Sequence, residues 1–444
     1  MSQKLFPTLI IQVYLPGFVM FVGWSMAIPV IPLLARELGA SVAIAALVVA
    51  VKGFGPLVLN LPSGMLISRF GNRWVVLTSC FLALIVAVLT GFAKSVLLLT
   101  VLSFLMAGAR TVWMLTRADY IRSHVSVDRR GRAISGLGGI NRIGGFVGPI
   151  VGGFVGKVFG LHSVFFVQGG IVAIVLLILL GARKTRDVSD GPQKAKQDHS
   201  GIRLVAKILR DHRKSYLTAG VVALVFQLIR AGRTVVYPLW GESIGLDVAE
   251  IGLIMGLISA LDMTLFYPAG LIMDRKGRKW TAIPSLVIMS LSFILLPFAQ
   301  SFALLLVIGL LNGFGNGLGS GIVMTLGTDL SPENHAGEFL GIWFVVSGLG
   351  ALIGPAAIGL ISDIVSMGVA SLTTAGIGMA GGLFLLFFVR ETRRTTRRVQ
   401  RRVQRRVQRR VQRRVQRRVL AIRARRALRE LRPGPFFSRY NRRK

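Results

Sequence analysis

Long apolar stretches, interrupted by short polar segments, dominate the chain from its start to about residue 390. A helix needs about 20 apolar residues to cross about 30 Å of hydrocarbon. Twelve stretches of this kind can be counted, and each is predicted to be a membrane-spanning helix. The predicted spans are residues 8–34, 42–68, 74–93, 96–122, 131–157, 162–182, 216–241, 249–273, 280–299, 302–327, 337–363 and 368–389.

The spans form two groups of six, and the groups repeat each other in sequence. The segment Gly64–Trp74 returns as Gly270–Trp280, 206 residues later (270 minus 64), and Gly148-Pro149 returns as Gly354-Pro355 at the same offset. One register kept across several Gly and Pro positions indicates two copies of one structural unit in the same order. An all-α membrane protein with two parallel-repeat six-helix bundles is therefore predicted. Its predicted parts are an N-terminal bundle (1–182), a cytoplasmic linker (183–214), a C-terminal bundle (215–390) and an Arg-rich cytoplasmic tail (391–444).

Composition agrees with this fold class and argues against several kinds of chemistry. Hydrophobic residues make up 53% of the chain and charged residues only 16%, which is far more apolar than a soluble protein. There is no G-x-x-x-x-G-K-[ST] nucleotide loop, and five scattered histidines with one cysteine do not suggest a metal site. We therefore expect no enzyme, no cofactor and no bound metal.

The charges of the connecting segments predict the orientation of the chain. Alternate connections are rich in Lys and Arg, above all 183–214 and the C-terminus, whereas the connections between them carry few cations. Cytoplasmic loops of membrane proteins hold such an excess of positive charge. A multi-pass protein of the cell (cytoplasmic) membrane with both termini in the cytoplasm is predicted.

Two motifs resemble those of one transporter family. The first is the loop pattern G-x-x-x-D-R-x-G-R-[RK], which follows the second span and has a copy after the eighth. It is similar to the signature loop of the major facilitator superfamily. The second is the glycine run in the fifth span, which is similar to that of the proton-coupled drug exporters of this family. This resemblance covers about residues 8–390 and implies two six-helix bundles that work by alternating access. The chain departs from the pattern at Ser68, where the family has an acid. Arg110 resembles the arginine of the family's fourth-helix motif, but Trp113 and Met114 stand where Gln and Gly are expected.

The loop motif and the acid Asp119 suggest a gate. Its arginines can pair with acids or with helix carboxyl ends in one conformation and release them in another, although positive-inside topology alone would also explain them. Gly71 and Gly277 stand where a tight turn requires φ > 0. The candidate gating residues are Gly64, Arg69, Gly71, Arg73, Asp119, Gly270, Asp274, Arg275, Gly277 and Arg278.

The glycine run predicts close helix packing. Small residues let transmembrane helices approach each other, either across the two halves to block leakage or as ordinary packing within one bundle. The candidate packing residues are Gly144, Gly148, Pro149, Gly152, Gly153, Gly354 and Pro355.

Several ionisable side chains lie deep within the predicted spans. Each would cost about 2.5 to 3.5 kcal/mol if it faced lipid, so they are expected to face a wet cavity or one another. The candidate cavity residues are Lys52, Arg110, Arg142, Arg230 and Arg233, and Asp262 is the candidate carboxylate for proton coupling. A buried structural ion pair is the alternative explanation for each.

The tail is unusually basic. Residues 393–444 contain 23 Lys and Arg and one acid, mostly in a repeated Val-Gln-Arg-Arg unit. Attraction to anionic lipids of the bilayer is expected, without selective binding of nucleic acid. A low-complexity expansion without a role is the alternative.

Together these features predict a monomeric secondary transporter that exports small molecules in exchange for protons. Two alternatives stay open. One is an anion-selective uptake or exchange carrier that uses the arginine-rich cavity, and the other is a membrane scaffold whose working part is the basic tail.

Overall fold

A computed structural model describes residues 10–181, 201–332 and 334–392, and their regular structure is helical. Twelve helices in these ranges are long and apolar enough to cross a membrane, which confirms the predicted fold class. They are α1 Leu15–Glu37, α2 Val42–Ala50 continuing as Phe54–Phe70, α3 Asn72–Gly91, α4 Val96–His124, α5 Val127–Phe159, α6 Ser163–Gly181, α7 Val221–Ser243, α8 Val248–Arg275, α9 Lys279–Leu295, α10 Phe302–Leu318 continuing as Ile322–Leu330, α11 Ala336–Ile364 and α12 Met367–Phe388.

Other parts of the predicted plan lie partly outside these ranges. The basic tail predicted for 393–444 lies outside the described residues, and so does the predicted linker up to residue 200. The described part of the predicted linker contains a further helix, Gly201–Asp211, on which Ile208 is buried.

Short connections join consecutive spans within each half, so the helices of a half alternate in direction. We call the end of the bundle where α1 begins and α12 ends the terminal face, and the other end the opposite face. Helices that begin at the opposite face do so at equivalent positions in the two halves. The Ser95 hydroxyl caps α4 by accepting the Leu98 N–H, and 206 residues later Ser301 caps α10 by accepting the Leu304 N–H. Side-chain oxygens satisfy first-turn N–H groups in this way and fix where a helix begins.

Two spans that the sequence predicts as continuous are interrupted. In α2 a 3₁₀ turn at Val51–Gly53 separates the two helical parts, just before the weak helix formers Gly55 and Pro56. In α10 the break lies at Gly321, whose φ of 79° is left-handed and suits glycine. Both interruptions lie in the middle of the bundle and change which way the following side chains point.

The two halves pack closely where α5 meets α8 near the opposite face. A Cβ added to Gly252 would lie 2.4 Å from the Pro149 carbonyl oxygen, and one added to Gly153 would lie 2.6 Å from the Val248 carbonyl oxygen. The Lys157 ammonium, at the end of α5, lies 2.7 Å from the Asp247 carboxylate just before α8. Backbone contact and an ion pair therefore hold the halves together at this face.

A second contact between the halves joins α2 and α11. A Cβ added to Gly359 would lie 2.4 Å from the Ala46 Cβ. Towards the terminal face the same four helices separate, because glycines there would meet no atom within 4 Å if they carried a Cβ. These glycines are Gly64, Gly138, Gly139, Gly270, Gly337 and Gly341. The halves are therefore in close contact near the opposite face and less closely packed near the terminal face.

The glycine run of α5 packs mainly within the first half. Gly144, Gly148 and Gly152 lie against the backbone of α1, and in this motif Gly153 and the Pro149 carbonyl reach α8. The same arrangement returns in the second half, where Gly354 lies against the Leu228 carbonyl oxygen of α7. The motif thus serves packing inside each bundle first and contact between the halves second.

Candidate substrate cavity and charged network

The five deep cations form two separate groups. Arg142, Arg230 and Arg233 surround Asp262, whereas Lys52 and Arg110 line a cavity together. Sequence alone could not separate them, because the direction of each side chain depends on how the helices rotate against each other.

Arg142 connects the two halves through Asp262. It extends from α5, its Nη1 lies 3.2 Å from Asp262 Oδ1 on α8, and its Nη2 donates a hydrogen bond to the Ser320 hydroxyl in the break of α10. Its guanidinium also lies 4.5 Å from the centre of the Phe266 ring. Every one of these partners belongs to the second half, so this arginine ties the N-terminal bundle to the C-terminal one.

Asp262 is also held within its own half. Arg233 Nη2 lies 3.8 Å from Asp262 Oδ2, and the Asn316 amide donates to the same oxygen at 2.5 Å. The side chain of Asp262 is 13% exposed. A carboxylate that is buried to this degree needs such partners, because an unpaired buried charge is costly.

Arg230 is stabilised indirectly. Its Nε donates to Asn316 Oδ1 and its Nη2 to the Gly319 carbonyl oxygen, both at 2.7 Å. Asn316 therefore connects Arg230 to Asp262. Sequence reasoning missed this asparagine, although one signal was present: it lies 206 residues after Arg110 and so occupies the same place in the repeat (316 minus 110).

A separate cavity of about 570 Å³ lies mainly among helices of the first half, with α7 and α11 completing its wall. Its size falls within the range of small-molecule sites. Most lining residues are apolar, and the described lining contains Lys52 and Arg110 but no Asp or Glu. The lining includes Trp24, Ala27, Ile28, Ile31, Val49, Lys52, Asn60, Leu102, Ser103, Met106, Arg110, Met114, Phe165, Gln168, Ala231, Thr234 and Pro355.

The local structure of α2 and α4 places the two cations in this cavity. Lys52 lies within the 3₁₀ turn of α2. Gly55, one turn later, packs against Ala107 of α4, where an added Cβ would be only 2.8 Å away. Arg110 follows Ala107 on α4, and its guanidinium lies 5.3 Å from the Phe21 ring centre and 5.5 Å from the Trp24 ring centre. Close packing at Gly55 thus brings both positive side chains to one wall.

The candidate gating loops show a related pair of contacts at the terminal face. In the first half the Asn72 amide donates to Asp119 Oδ2 at 3.1 Å. In the second half Arg278, which is the repeat of Asn72, donates from Nε to Asp329 Oδ2 at 2.8 Å. Asn72 and Asp329 were not singled out in the sequence, because neither belongs to the charged pattern of the motif.

The remaining loop residues are more exposed. Asp274, which keeps the acid of the motif, is 78% exposed and lies 3.6 Å from Arg278. Arg69 lies over the ring of its neighbour Phe70 at 5.3 Å, and Arg73 donates to the Leu180 carbonyl oxygen at 3.5 Å.

The two turn glycines have the predicted backbone. Gly71 has φ 79° and Gly277 has φ 122°. Both values are unfavourable for residues that carry a Cβ. The prediction of tight turns at these two positions is therefore confirmed.

Comparison with known proteins identifies the family. The sequence profile of the Major Facilitator Superfamily matches residues 13–230 and again 219–438. The multidrug resistance protein MdtG of Citrobacter koseri is 25% identical over 409 residues, which cover 86% of this chain and 95% of that protein. A probable nitrate transporter, NarT of Staphylococcus epidermidis, is 23% identical over 357 residues, covering 78% of this chain and 86% of the relative. Among solved structures, a D-xylose-proton symporter matches with a TM-score of 0.69 and 16% identity over 88% of this chain and 99% of that chain.

Proposed function

Because the chain belongs to the major facilitator superfamily and is a transporter rather than an enzyme, we propose that it exports small molecules across the cell membrane in exchange for protons. The observation that carries this proposal is the ion pair between Arg142 and Asp262, which joins the two halves at 3.2 Å. The similarity of the chain to a multidrug resistance protein supports transport out of the cell.

In the proposed orientation the terminal face is cytoplasmic. The cation-rich connections 69–73 and 275–279 lie at this face, and cytoplasmic loops carry such an excess of Lys and Arg. The open terminal face then receives substrate from the cytoplasm. Closure of the opposite face by Lys157 and Asp247 keeps the same substrate from leaving before the halves rock.

Asp262 is the proposed proton acceptor. While ionised, its carboxylate holds Arg142 of the first half and Arg233 of the second half. A proton on Asp262 removes the negative charge from this site and leaves three arginines that repel one another. The tie through Arg142 is then weakened, so the halves are free to move against each other. For exchange, Asp262 takes its proton from the outside while the opposite face is open, and loses it to the cytoplasm after the halves have rocked back. This loss restores the tie before the next substrate is carried outward.

An anion carrier is the second candidate function. Lys52 and Arg110 line a cavity in which the described residues include no acid, and a relative carries the name of a probable nitrate transporter. A scaffold that works through its basic tail is the third candidate, and its tail lies outside the described residues.

Proton flux in inside-out vesicles tests the proposal. The purified chain is reconstituted in vesicles whose acidic lumen contains a pH-sensitive dye, and compounds from cationic, neutral and anionic classes are added outside. An exporter exchanges an entering compound for a leaving proton, so substrates make the lumen more alkaline. We expect Asp262→Asn to abolish this response. Asp363 is an exposed acid at the C-terminal end of α11, and Asp363→Asn should retain the response.

The rival functions give different results. A carrier that moves anions without protons transports labelled compound with no change in luminal pH. A scaffold shows no flux for any compound, and its cellular effect is lost when 393–444 are deleted, whereas an exporter keeps its flux after that deletion. An unchanged proton flux in Asp262→Asn would refute the assigned role of this carboxylate.

A further inference from the structure

We infer that the cavity at Lys52 and Arg110 binds an organic anion, with its negative group on these two cations and its apolar body against the walls. This inference rests on the proposed function and names the substrate class of the transporter. The negative charge of the substrate is thus assigned to Lys52 and Arg110. The proton is assigned to Asp262, which lies among the other group of cations.

The charge balance of the cavity is the first reason. Neither Lys52 nor Arg110 is within ion-pair distance of an acid in the described residues, and the described lining contains no Asp or Glu. The positive charges of the two side chains also repel each other. Arg142 and Arg233, in contrast, share the carboxylate of Asp262. A bound anion would balance the charge that the protein itself leaves unbalanced.

Unpaired polar atoms in the same wall are the second reason. Trp24 Nε1, Ser103 Oγ and Gln168 Oε1 are buried and have no hydrogen-bond partner in the structure. Their residues are 6%, 4% and 1% exposed, and all three line this cavity. Buried polar groups are nearly always paired. Two of these atoms, Trp24 Nε1 and Ser103 Oγ, can donate to an oxygen-bearing ligand, whereas Gln168 Oε1 can only accept.

The apolar wall decides between a small inorganic anion and a larger organic one. Most of the cavity lining is apolar and includes Ile28, Val49, Leu102, Met106 and Phe165. A hydrated inorganic ion gains nothing from such a surface, whereas an organic ligand buries apolar area against it. The rings of Phe21 and Trp24 hold the Arg110 guanidinium from one side, which leaves its other donors for a carboxylate.

The two cations also lie at different depths. Because α2 and α4 run in the same direction and Gly55 is level with Ala107, Lys52 and Arg110 are offset along the helix axes by about six residues, or about 9 Å at 1.5 Å per residue. Long side chains can converge from such an offset on one carboxylate. We therefore expect removal of either cation to weaken binding.

Binding of 1-naphthoate to the full-length chain in detergent tests the inference by titration calorimetry. The matched probes are 1-naphthamide, which is neutral, 1-naphthylmethylammonium, which is cationic, and nitrate, which is small and inorganic. We expect naphthoate to bind at least tenfold more tightly than the other three. Lys52→Gln and Arg110→Gln should each weaken it by about 10-fold to 100-fold, equivalent to about 1.4 to 2.8 kcal/mol.

Three control variants separate a site from general attraction by the basic tail. Lys52→Arg and Arg110→Lys keep the charge and should bind within a few-fold of wild type. Lys94→Gln removes an exposed cation outside the cavity and should leave affinity unchanged. An equal loss in Lys94→Gln, or no loss in either cavity variant, would show that the anion binds elsewhere.

The other probes test the role of charge and the organic class of the ligand. Equal affinity for naphthamide would refute the role of charge, and equal affinity for nitrate would refute the organic class. Calorimetry needs no gradient, so it is independent of the proton-flux assay. Absence of naphthoate binding together with proton flux for other compounds would overturn this inference alone. Naphthoate binding with unchanged flux in Asp262→Asn would overturn the proton role alone.

Discussion

Replacing Gly252 by Ala is expected to shift the transporter towards the conformation that is open at the opposite face. A Cβ at this position would lie 2.4 Å from the Pro149 carbonyl oxygen and 2.9 Å from Gly153 Cα. Both neighbours are backbone atoms of α5 and cannot rotate away. The methyl group is therefore tolerated only if α5 and α8 separate, which is the movement that alternating access requires at this face.

The size of the shift follows from the cost of the clash. Adding a methyl group to a tightly packed interface costs about 1 to 3 kcal/mol. At 1.4 kcal/mol per tenfold change, the ratio of open to closed opposite face rises roughly 5-fold to 140-fold. Gly145→Ala on α5, the helix that Gly252 contacts, is the matched control, because a Cβ there would meet no atom within 4 Å.

Distances between spin labels at the opposite face measure this population. Cysteines replace Lys94 and Gln300, which are exposed and 206 residues apart, in a background where the single cysteine, Cys80, is Ala. The longer distances should gain population in Gly252→Ala and not in Gly145→Ala. Identical distributions for Gly252→Ala and wild type, or equal shifts in both variants, would refute the packing argument.

Loss of folding is the other possible effect of Gly252→Ala. Lys157→Gln provides a milder change at the same contact, because it removes a 2.7 Å ion pair whose lysine is 56% exposed. Exposed pairs contribute little because water and salt screen them, so a shift of at most a few-fold in the same direction is expected.

Two further predictions concern ion pairs at the two faces. Arg278→Gln removes the 2.8 Å ion pair of the nearly buried Asp329 carboxylate, and the destabilisation that follows when a buried pair is broken should appear as a lower thermal unfolding temperature than in Asp363→Asn; equal temperatures would contradict it. At the opposite face, the hydrogen bond from Lys157, followed by the backbone N–H of Glu250, lowers the pKa of Asp247 below its ordinary 3.8. A lowered pKa stabilises the closed face above that value, and the contribution is lost as the pH falls towards the lowered pKa. Spin-label distances should therefore lengthen below about pH 4 in wild type and show no such step in Asp247→Asn.

Much of the architecture could be predicted because it depends on local sequence. Apolar length gave the twelve spans, and the fixed offset of 206 residues between Gly64 and Gly270 indicated the repeat. The positive φ of Gly71 and Gly277 could be anticipated because a turn between two helices offers few alternatives to glycine. The spans and the turns are each determined within a few tens of residues, and the repeat is visible because its two copies can be compared directly.

The pairing of side chains could not be predicted, because it depends on helix rotation and on local breaks. The sequence shows five deep cations and one deep acid, but not that Asp262 meets Arg142 and leaves Lys52 to a separate cavity. The 3₁₀ turn that contains Lys52 and the break of α10 at Gly321 redirect the side chains around them. Neutral partners such as Asn316 carry no charge signal and become visible only in three dimensions.

The most direct test of the account compares the opposite-face distance between labels at positions 94 and 300 in wild type and in Asp262→Asn. Both proteins are measured well above the ordinary pKa of Asp247, 3.8, so the ion pair with Lys157 stays intact. Asparagine has no charge and stands in for the protonated acid. If loss of that charge releases Arg142, Asp262→Asn gains the long-distance population relative to wild type. Equal distance distributions in the two proteins would contradict the account.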